Sequence, residues 1–189
     1  MNAPLLITGS AGFIGSHVCD HVVAANGHSS LVGLDLEATP ATVTSVRGDV
    51  RCADQLRRIA GDVRPHTVIH LAAKAEVVIP FDELADLMTT NVNGTINVLK
   101  AVQPERIVFA SSSAVYGNAG GRGARVRWSD VNPLGAYGIS KAAGEIACGE
   151  WVKHTDGVAV SLRFGNVIGR RCRGLVAYLV VSSAPALWS

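Results

Sequence analysis

Short apolar runs alternate with longer segments of helical character along most of this chain. The runs predict six strands, at Pro4–Thr8, Leu31–Leu36, Val43–Gly48, Thr67–Ala72, Arg106–Ser111 and Gly157–Arg163. The segments between them predict helices over Phe13–Ala25, Cys52–Ala60, about Asp82–Val102 and Ala136–His154. Nearly continuous apolar strands that alternate with helices are typical of a parallel sheet covered on both faces. The pattern therefore predicts an α/β fold with a doubly wound parallel sheet.

Size and charge narrow the possible partners. The chain has 189 residues, of which 48% are hydrophobic, enough for one substantial core in a single domain. Its formal charge of +2 comes without a basic helix or a lysine-rich stripe, which argues against a nucleic-acid partner. No apolar run approaches the roughly 20 residues that a bilayer requires, so no membrane partner is expected.

The cysteines and histidines indicate neither disulfides nor a metal site. The four cysteines form no CxxC pair, which favours reduced thiols in the cytoplasm, and no basic leader precedes the first apolar run. His17 and His21 flank Cys19 in the first predicted helix, but no Glu stands between them in the HExxH arrangement. We interpret them as part of the helix surface and expect no metal.

A glycine-rich turn, TGSAGFIG over Thr8–Gly15, joins the first predicted strand to the first predicted helix. Gly9, Gly12 and Gly15 would let the backbone and the helix N-terminus approach a pyrophosphate, although this spacing alone also fits a plain tight turn. Asp35, 20 positions after Gly15 at the end of the second strand, strengthens the first interpretation. A carboxylate there can bind both ribose hydroxyls of adenosine and repel a 2′-phosphate, which favours NAD over NADP.

Two further features leave alternatives open. Asp49 and Val50 follow the third predicted strand, where they either bracket an adenine or form an ordinary turn. Arg122, Arg125 and Arg127 lie among glycines, in a loop that is either simply solvated or a flap that meets a phosphate-bearing ligand.

A second candidate site combines a tyrosine, a lysine and serines. Tyr137 and Lys141 are four residues apart in a predicted helix, so both side chains project from one face. Lowering the pKa of a phenol from about 10 to near 7 takes on the order of 4 kcal/mol, which we expect a nearby ammonium and a nicotinamide ring to supply. Tyr137 could then act as base on a substrate hydroxyl. The serine run Ser111–Ser113, at the carboxyl edge of the sheet, would hold the substrate oxygen.

Eight motifs occur in order along the chain: TGSAGFIGSHV, Asp35, Asp49, HLAA (His70–Ala73), NVNGT (Asn91–Thr95), SSSAVYG (Ser111–Gly117), YGISK and LRFGNVIG (Leu162–Gly169). This order resembles that of extended short-chain dehydrogenases. More closely, the chain is similar to the NAD-dependent epimerase/dehydratase family, which acts on nucleotide sugars. The resemblance runs from about Leu5 to Gly169 and implies a Rossmann-like NAD-binding domain over residues 1–169.

The resemblance also implies roles for individual residues. NAD contacts fall on Gly9, Gly12, Phe13, Ile14, Gly15, Asp35, Asp49, Val50, Leu71, Ala72, Ala73, Asn91, Tyr137 and Lys141. The resemblance assigns catalysis to Ser112, Tyr137 and Lys141. It assigns substrate contacts to Ser112, Ser113 and Asn166. The helices predicted over Asp82–Val102 and Ala136–His154 resemble those that form the family's four-helix dimer interface, so a homodimer is expected.

The residues around Ser112 favour one reaction within the family. Sugar-nucleotide 4,6-dehydratases resemble one another in a Thr-Asp-Glu run there, because loss of water needs an additional acid and base. This chain has Ser112, Ser113 and Ala114 instead, which disfavours dehydration. A 4-epimerase needs only Tyr137, Ser112 and tightly held NAD. Hydride moves from the sugar to the cofactor, the 4-keto sugar rotates in the site, and hydride returns to its other face. We therefore expect a 4-epimerase of a UDP-sugar, with another dehydratase or reductase of the family as the alternative.

The resemblance becomes loose beyond Gly169. Family members usually continue with a further segment, on the order of 100 residues, that closes over the sugar. Here residues 170–189 are expected to be a short divergent remnant without the usual GPRQ-like run, although Arg170 and Arg171 could still meet phosphates. Three interpretations stay open: a compact or truncated epimerase-like enzyme, an NAD-binding module without turnover, and a fragment that requires a partner chain.

Overall fold

Six parallel strands form a single sheet in the computed structural model, which describes residues 4–26, 31–39, 43–76, 79–121 and 131–172. The strands are β1 (Leu5–Thr8), β2 (Leu31–Asp35), β3 (Thr44–Arg47), β4 (Thr67–His70), β5 (Arg106–Ser112) and β6 (Val158–Phe164). Their order across the sheet is β3-β2-β1-β4-β5-β6, with every neighbouring pair parallel. The predicted doubly wound, Rossmann-like fold is confirmed, because this order winds outward from β1 in both directions.

The helices of the described ranges lie between consecutive strands, as right-handed crossovers require. They are α1 (Phe13–Asn26), α2 (Ala53–Val63), α3 (Leu84–Met88), α4 (Gly94–Val102) and α5 (Ala136–Lys153). Among them, none is both long and apolar enough to cross a membrane.

The helix predicted over Asp82–Val102 is interrupted in the structure. A short 3₁₀ turn over Phe81–Glu83 precedes α3, and one turn of π-helix over Thr89–Asn93 separates α3 from α4. At this bulge Asn91 is buried, and its side chain accepts a hydrogen bond from Lys74 N at 2.8 Å and donates one to Lys74 O at 2.9 Å. The wider turn places a polar side chain on the backbone of another segment, a tertiary contact that apolar periodicity does not report.

Two apolar clusters bury the two faces of the sheet. The larger combines strand residues with α2, α4 and α5, and its members include Leu6, Leu34, Leu56, Val68, Val98, Leu99, Ile107, Phe109 and Cys148. The smaller cluster packs α1 on the opposite face, through Cys19 against Ile7 and Leu31. Helices thus cover one face of the sheet and, on the other face, the part formed by β1, β2 and β4. A doubly wound sheet binds its ligands at the edge where the strands end.

Two predicted features lie wholly or mostly outside the described residues. The arginine-containing loop at Arg122, Arg125 and Arg127 is one of them, and the tail over 170–189 is described only as far as Cys172. The domain limits of 1–169 and 170–189 therefore stay a prediction.

Candidate functional site

A tight turn joins β1 to α1 and depends on two glycines. Gly9 has a φ of 73°, in the left-handed region, and its N–H donates to Leu34 O at 2.8 Å. A Cβ on Gly9 would lie 2.6 Å from Ala72 N, and a Cβ on Gly15 would lie 2.0 Å from Gly9 O. Because neither position has room for a side chain, α1 begins pressed against the turn, and bare backbone faces the space above β1.

A cleft of about 990 Å³ opens at the carboxyl ends of the first four strands. Most of the residues predicted to bind the cofactor line it, namely Gly9, Gly12, Phe13, Asp35, Asp49, Val50, Leu71, Ala72 and Ala73. The bare turn and the amino end of α1 fit a pyrophosphate, because backbone N–H groups and the helix dipole attract an anion there. The carboxylate of Asp35, with Val50 beyond it, fits an adenosine. The residues present therefore fit a bound dinucleotide.

The other residues predicted to bind the cofactor lie outside the lining of this cleft. Gly15 is buried behind the turn, and Asn91 is buried beneath Lys74. Ile14 borders a second cavity, of about 350 Å³, between α1 and the segment after β6. Tyr137 and Lys141 lie farther along the same sheet edge, next to β5.

Both carboxylate oxygens of Asp35 accept hydrogen bonds from backbone N–H groups. Its Oδ2 accepts a hydrogen bond from Ala11 N at 2.9 Å, and its Oδ1 accepts one from Glu37 N at 3.1 Å. The residue predicted to hold the ribose therefore also holds the glycine-rich turn that contains Ala11. The sequence spacing predicts the first role and is silent on the second.

An ionic chain that sequence reasoning missed crosses one end of the cleft. Arg51 lies 2.6 Å from Asp49 and 2.7 Å from Asp86, and Lys74 lies 2.5 Å from the other oxygen of Asp86. Hydrogen bonding to Arg51 lowers the pKa of Asp49, and hydrogen bonding to Lys74 lowers the pKa of Asp86. All four residues line the cleft, so the loops after β3 and β4 are joined to α3 at its rim. These residues form no motif in sequence, because the fold alone brings them together.

Ser112, Tyr137 and Lys141 meet where β5 ends against the first turns of α5. The Ser112 side chain lies next to the Tyr137 phenol, close enough to affect its pKa. Lys141 is 4% exposed, and its Nζ donates to Ala110 O at 2.8 Å and lies 5.8 Å from the centre of the Tyr137 ring. The structure thus brings together the three residues predicted to be catalytic.

The electrostatics of Tyr137 differ from the expectation for an activated phenol. Burial raises the pKa of Tyr137, and the interaction with Ser112 only partly opposes that effect. Burial also lowers the pKa of Lys141 to about 8. Because the Lys141 ammonium is directed at the Ala110 carbonyl, it does not by itself supply the expected lowering of the phenol pKa. Activation of Tyr137 then requires an additional positive charge at this edge of the sheet.

The free energy of unfolding is expected to rise by about 1.4 kcal/mol between pH 7 and 9 because of Lys141. The unfolded chain keeps this proton up to the ordinary pKa of 10.5, whereas the folded chain releases it near 8. The unfolded state therefore binds more protons in this range, and stability increases with pH. Urea denaturation of the wild type and of Lys141→Met at both pH values would measure the effect.

Comparison of the two proteins isolates the lysine. Burial raises the pKa of Cys19 to about 11 and that of Cys148 to about 12, so these thiols oppose the trend above pH 9. Both cysteines are present in both proteins, and their contributions cancel in the difference. Parallel pH dependences of the wild type and Lys141→Met would show that Lys141 titrates normally and would contradict the expectation.

A buried histidine connects the glycine-rich turn to α4. His70 is 1% exposed, with Nδ1 2.6 Å from Thr8 Oγ1 and Nε2 3.0 Å from Thr95 Oγ1. Thr95 Oγ1 donates to Asn91 O at 2.6 Å, so it accepts from His70 Nε2, and Nδ1 is left to accept from Thr8. Burial lowers the pKa of His70 to about 3, which keeps the ring neutral. One uncharged ring thus fixes Thr8, next to the turn, relative to the π-helical bulge.

The two remaining residues predicted to contact substrate lie at exposed positions. Ser113 follows Ser112 immediately after β5, and Asn166 lies in the segment that follows β6. Both are exposed to solvent and lie outside the lining of the large cleft. Their predicted roles therefore rest on the resemblance and on their place at the carboxyl edge of the sheet.

A tyrosine four residues before a lysine, next to a serine at the sheet edge that also forms a dinucleotide cleft, is the arrangement of short-chain dehydrogenases. The model of the NAD dependent epimerase/dehydratase family matches residues 5–181. The chain belongs to this family, as its ordered motifs predict.

Curated relatives and solved structures agree with that assignment. The chain is 33% identical over 179 residues to a UDP-glucose 4-epimerase of Streptomyces lividans, covering 89% of this chain and 54% of the relative. It is 32% identical over 196 residues to UDP-glucuronate 4-epimerase 1 of Arabidopsis thaliana, covering 92% and 44%. The structure of a UDP-glucose 4-epimerase from Thermus thermophilus in complex with NAD matches with a TM-score of 0.80 and 34% identity, over 89% of this chain and 57% of that one. The chain therefore spans about half the length of these relatives.

Proposed function

We propose that this chain carries the cofactor-binding and proton-transfer part of an NAD-dependent nucleotide-sugar 4-epimerase. The neighbouring side chains of Ser112 and Tyr137, beside buried Lys141, carry the proposal. Removal of a proton from a secondary hydroxyl needs a base held within hydrogen-bond reach and a second group that fixes the substrate oxygen. Ser113 and Ala114 support epimerisation over dehydration, because neither supplies a carboxylate.

Each residue of the set has one task in this proposal. Ser112 Oγ holds the oxygen at C4 of the sugar, and the Tyr137 phenolate takes the hydroxyl proton and later returns it. Lys141 holds the end of β5 through Ala110 O and places positive charge near the phenol. NAD, when bound, supplies the hydride acceptor and donor that oxidises C4 and reduces the 4-keto sugar from the other face. Asp35 favours NAD over NADP by repelling a 2′-phosphate.

The proposed substrate is a UDP-sugar in the cytoplasm. The two curated relatives are a UDP-glucose and a UDP-glucuronate 4-epimerase by name, which supports a uridine nucleotide and leaves the sugar open. Cys19, Cys52 and Cys148 are free thiols, which supports a reducing compartment.

Two measurements on the purified full chain test this function. Mass spectrometry of the denatured protein identifies any bound nicotinamide and nucleotide-sugar species, and proton NMR follows conversion between UDP-glucose and UDP-galactose, or between their N-acetyl and uronic counterparts. Conversion with NAD bound supports the proposal. Bound NAD without conversion of any pair would leave a binding module without turnover, and a folded chain with no affinity for NAD would contradict both functions.

A homodimer through α4 and α5 is part of the proposal. These helices pack side by side, and their outer surface exposes Ile96, Ile139 and Ile146, with 36%, 45% and 51% of each residue accessible. We expect Ile146→Glu to weaken dimerisation by roughly 100-fold, because an unpaired carboxylate would be buried at the interface. Sedimentation equilibrium measures the change.

Val158→Glu serves as the matched control for Ile146→Glu. Val158 is also 51% exposed, but it lies at the start of β6, away from the α4–α5 surface. This control is expected to sediment like the wild type. A wild-type chain that is monomeric at high concentration, or an Ile146→Glu variant with unchanged dimerisation, would rule out this interface.

A further inference from the structure

Glu145 and Arg163 form a buried ion pair close behind Ser112. Arg163 Nε donates to Glu145 Oε1 at 2.9 Å, and a terminal nitrogen of Arg163 donates to Oε2 at 2.7 Å. The two side chains are only 3% and 9% exposed. Two parallel N–H to oxygen bonds fix both the distance and the orientation of the two groups.

The ion pair binds both ends of the segment that carries Ser112. Ser111 Oγ donates to Glu145 Oε1 on one side of Ser112. On the other side, Arg163 donates to Tyr116 Oη at 2.8 Å, and its guanidinium lies 4.9 Å from the centre of the Tyr116 ring. The chain is therefore hydrogen-bonded to the same ion pair on both sides of Ser112, through Ser111 and through Tyr116.

The same pair also sets the register between α5 and β5. Tyr137, Lys141 and Glu145 occupy successive turns of α5, four residues apart, and all three face the end of β5. Tyr137 lies next to Ser112, Lys141 Nζ donates to Ala110 O, and Glu145 accepts from Ser111 Oγ. A shift of Glu145 along β5 would move Tyr137 by the same amount, because a helix transmits displacement along its axis.

We propose that the Glu145–Arg163 pair is a positioning clamp that holds Ser112 within hydrogen-bond reach of Tyr137. The clamp's effect on turnover rests on the proposed function, whereas its effect on the Ser112–Tyr137 contact does not. Glu145 and Arg163 are positioning residues, since neither lines the cofactor cleft within the described residues and both act through Ser111 and Tyr116.

Stability alone gives little reason for an ion pair at this place. An apolar pair of similar volume often leaves a protein equally stable, because burying two charges costs as much free energy as their attraction returns. Removal of only one partner is different, because it leaves a buried charge without compensation. A double replacement therefore separates the clamp from the fold.

The main test replaces both residues, in the variant Glu145→Leu/Arg163→Met. A second variant, Arg163→Lys, keeps the charge opposite Glu145. A lysine lacks the planar set of N–H donors with which Arg163 hydrogen-bonds both Glu145 and Tyr116. Circular dichroism and thermal melting establish that each variant folds. If the double variant fails to fold, Arg163→Lys carries the test.

The primary readout is the ionisation of Tyr137, which requires neither cofactor nor turnover. Carbon NMR of chains labelled at tyrosine Cζ resolves the three tyrosines, and Tyr137→Phe assigns the signal. At about pH 10.5 we expect Ser112→Ala to reduce the ionised fraction of Tyr137, because the neighbouring Ser112 hydroxyl favours the phenolate. The clamp variants should reduce it similarly. Adding Ser112→Ala to a clamp variant should then change nothing more, since the contact between Ser112 and Tyr137 is already lost.

The second readout is catalytic, on chain loaded with NAD. We expect kcat to fall roughly 10- to 100-fold in the clamp variants, because a displacement near 1 Å costs about that much. The affinity for NAD should stay unchanged. A clamp variant that is folded and shows wild-type Tyr137 ionisation would overturn the proposal, whatever its activity. Altered ionisation in a chain that never epimerises a sugar would support the clamp and count against the proposed function.

An exposed ion pair on the same helix provides the control. Glu150 and Lys153 lie 2.7 Å apart on α5, and each side chain is 55% exposed. Glu150→Leu/Lys153→Met makes the same chemical change without touching Ser111 or Tyr116. It should leave both the ionisation of Tyr137 and kcat at wild-type values.

Discussion

Tyr137→Phe is expected to reduce the rate of nucleotide-sugar epimerisation by roughly 100- to 10,000-fold, the usual range for loss of a positioned proton-transfer group. The variant removes a single oxygen and keeps the aromatic ring. Ser112 would still hold the sugar oxygen, but the group proposed to accept its proton would be gone. Proton NMR of the UDP-sugar mixture, followed over days, measures the residual rate.

The affinity for NAD separates loss of chemistry from loss of the site. Tyr137→Phe should still bind NAD by calorimetry, because most of the predicted cofactor contacts line the large cleft and Tyr137 lies outside it. A variant that kept most of the wild-type rate would exclude Tyr137 as the base. In that case Lys141, whose pKa burial lowers to about 8, would become the candidate.

Gly15→Ala is expected to lower the affinity for NAD by roughly 100-fold, which corresponds to about 3 kcal/mol. The new methyl group would lie 2.0 Å from Gly9 O, so α1 and the turn must move apart. That movement displaces the backbone that forms the pyrophosphate cradle. Overpacking of this kind also costs about 1 to 3 kcal/mol of stability. Calorimetry and urea denaturation measure the two effects.

Gly61→Ala is the matched control, since it makes the same substitution within another helix. A Cβ on Gly61, on the exposed side of α2, would have no heavy atom within 4 Å apart from its own helix and chain neighbours. We expect this variant to be more stable by about 0.5 to 1 kcal/mol, because alanine restricts the unfolded chain, and to bind NAD normally. Equal effects of the two substitutions would show that Gly15 matters only through helix propensity.

The strands were predictable because a parallel sheet leaves a strong local signal. Strands covered on both faces have nearly continuous apolar runs, and all six observed strands end within two residues of the predicted limits. The π-helical bulge at Thr89–Asn93 was not predictable in this way. It depends on hydrogen bonds from Asn91 to Lys74, 17 positions away, which leave no periodic trace in sequence.

In the candidate site, too, some residues were predictable from sequence spacing and others were not. Gly9, Gly15 and Asp35 sit at fixed spacings, because a single strand–turn–helix unit and the next strand place them, and sequence spacing therefore locates them. Arg51 and Asp86 meet across 35 positions, and Glu145 and Arg163 meet across 18. Such pairs join different elements, and only the assembled sheet reveals them.

The pKa of Tyr137 was the least predictable property of the site. The YxxxK spacing correctly places Lys141 near the phenol, but it carries no information on burial or on where the ammonium points. In the structure, burial raises the pKa of Tyr137, and Lys141 donates its hydrogen bond to Ala110 O. Spacing can therefore identify the participants, while their ionisation depends on the surrounding atoms.

The double duty of Asp35 limits how the nucleotide preference of this protein could be redesigned. Its carboxylate accepts the N–H of Ala11 as well as that of Glu37. Replacing Asp35 with a small or basic residue to admit a 2′-phosphate would also strip the turn of an acceptor. An engineer would then have to provide a new partner for the Ala11 N–H before the charge reversal could succeed.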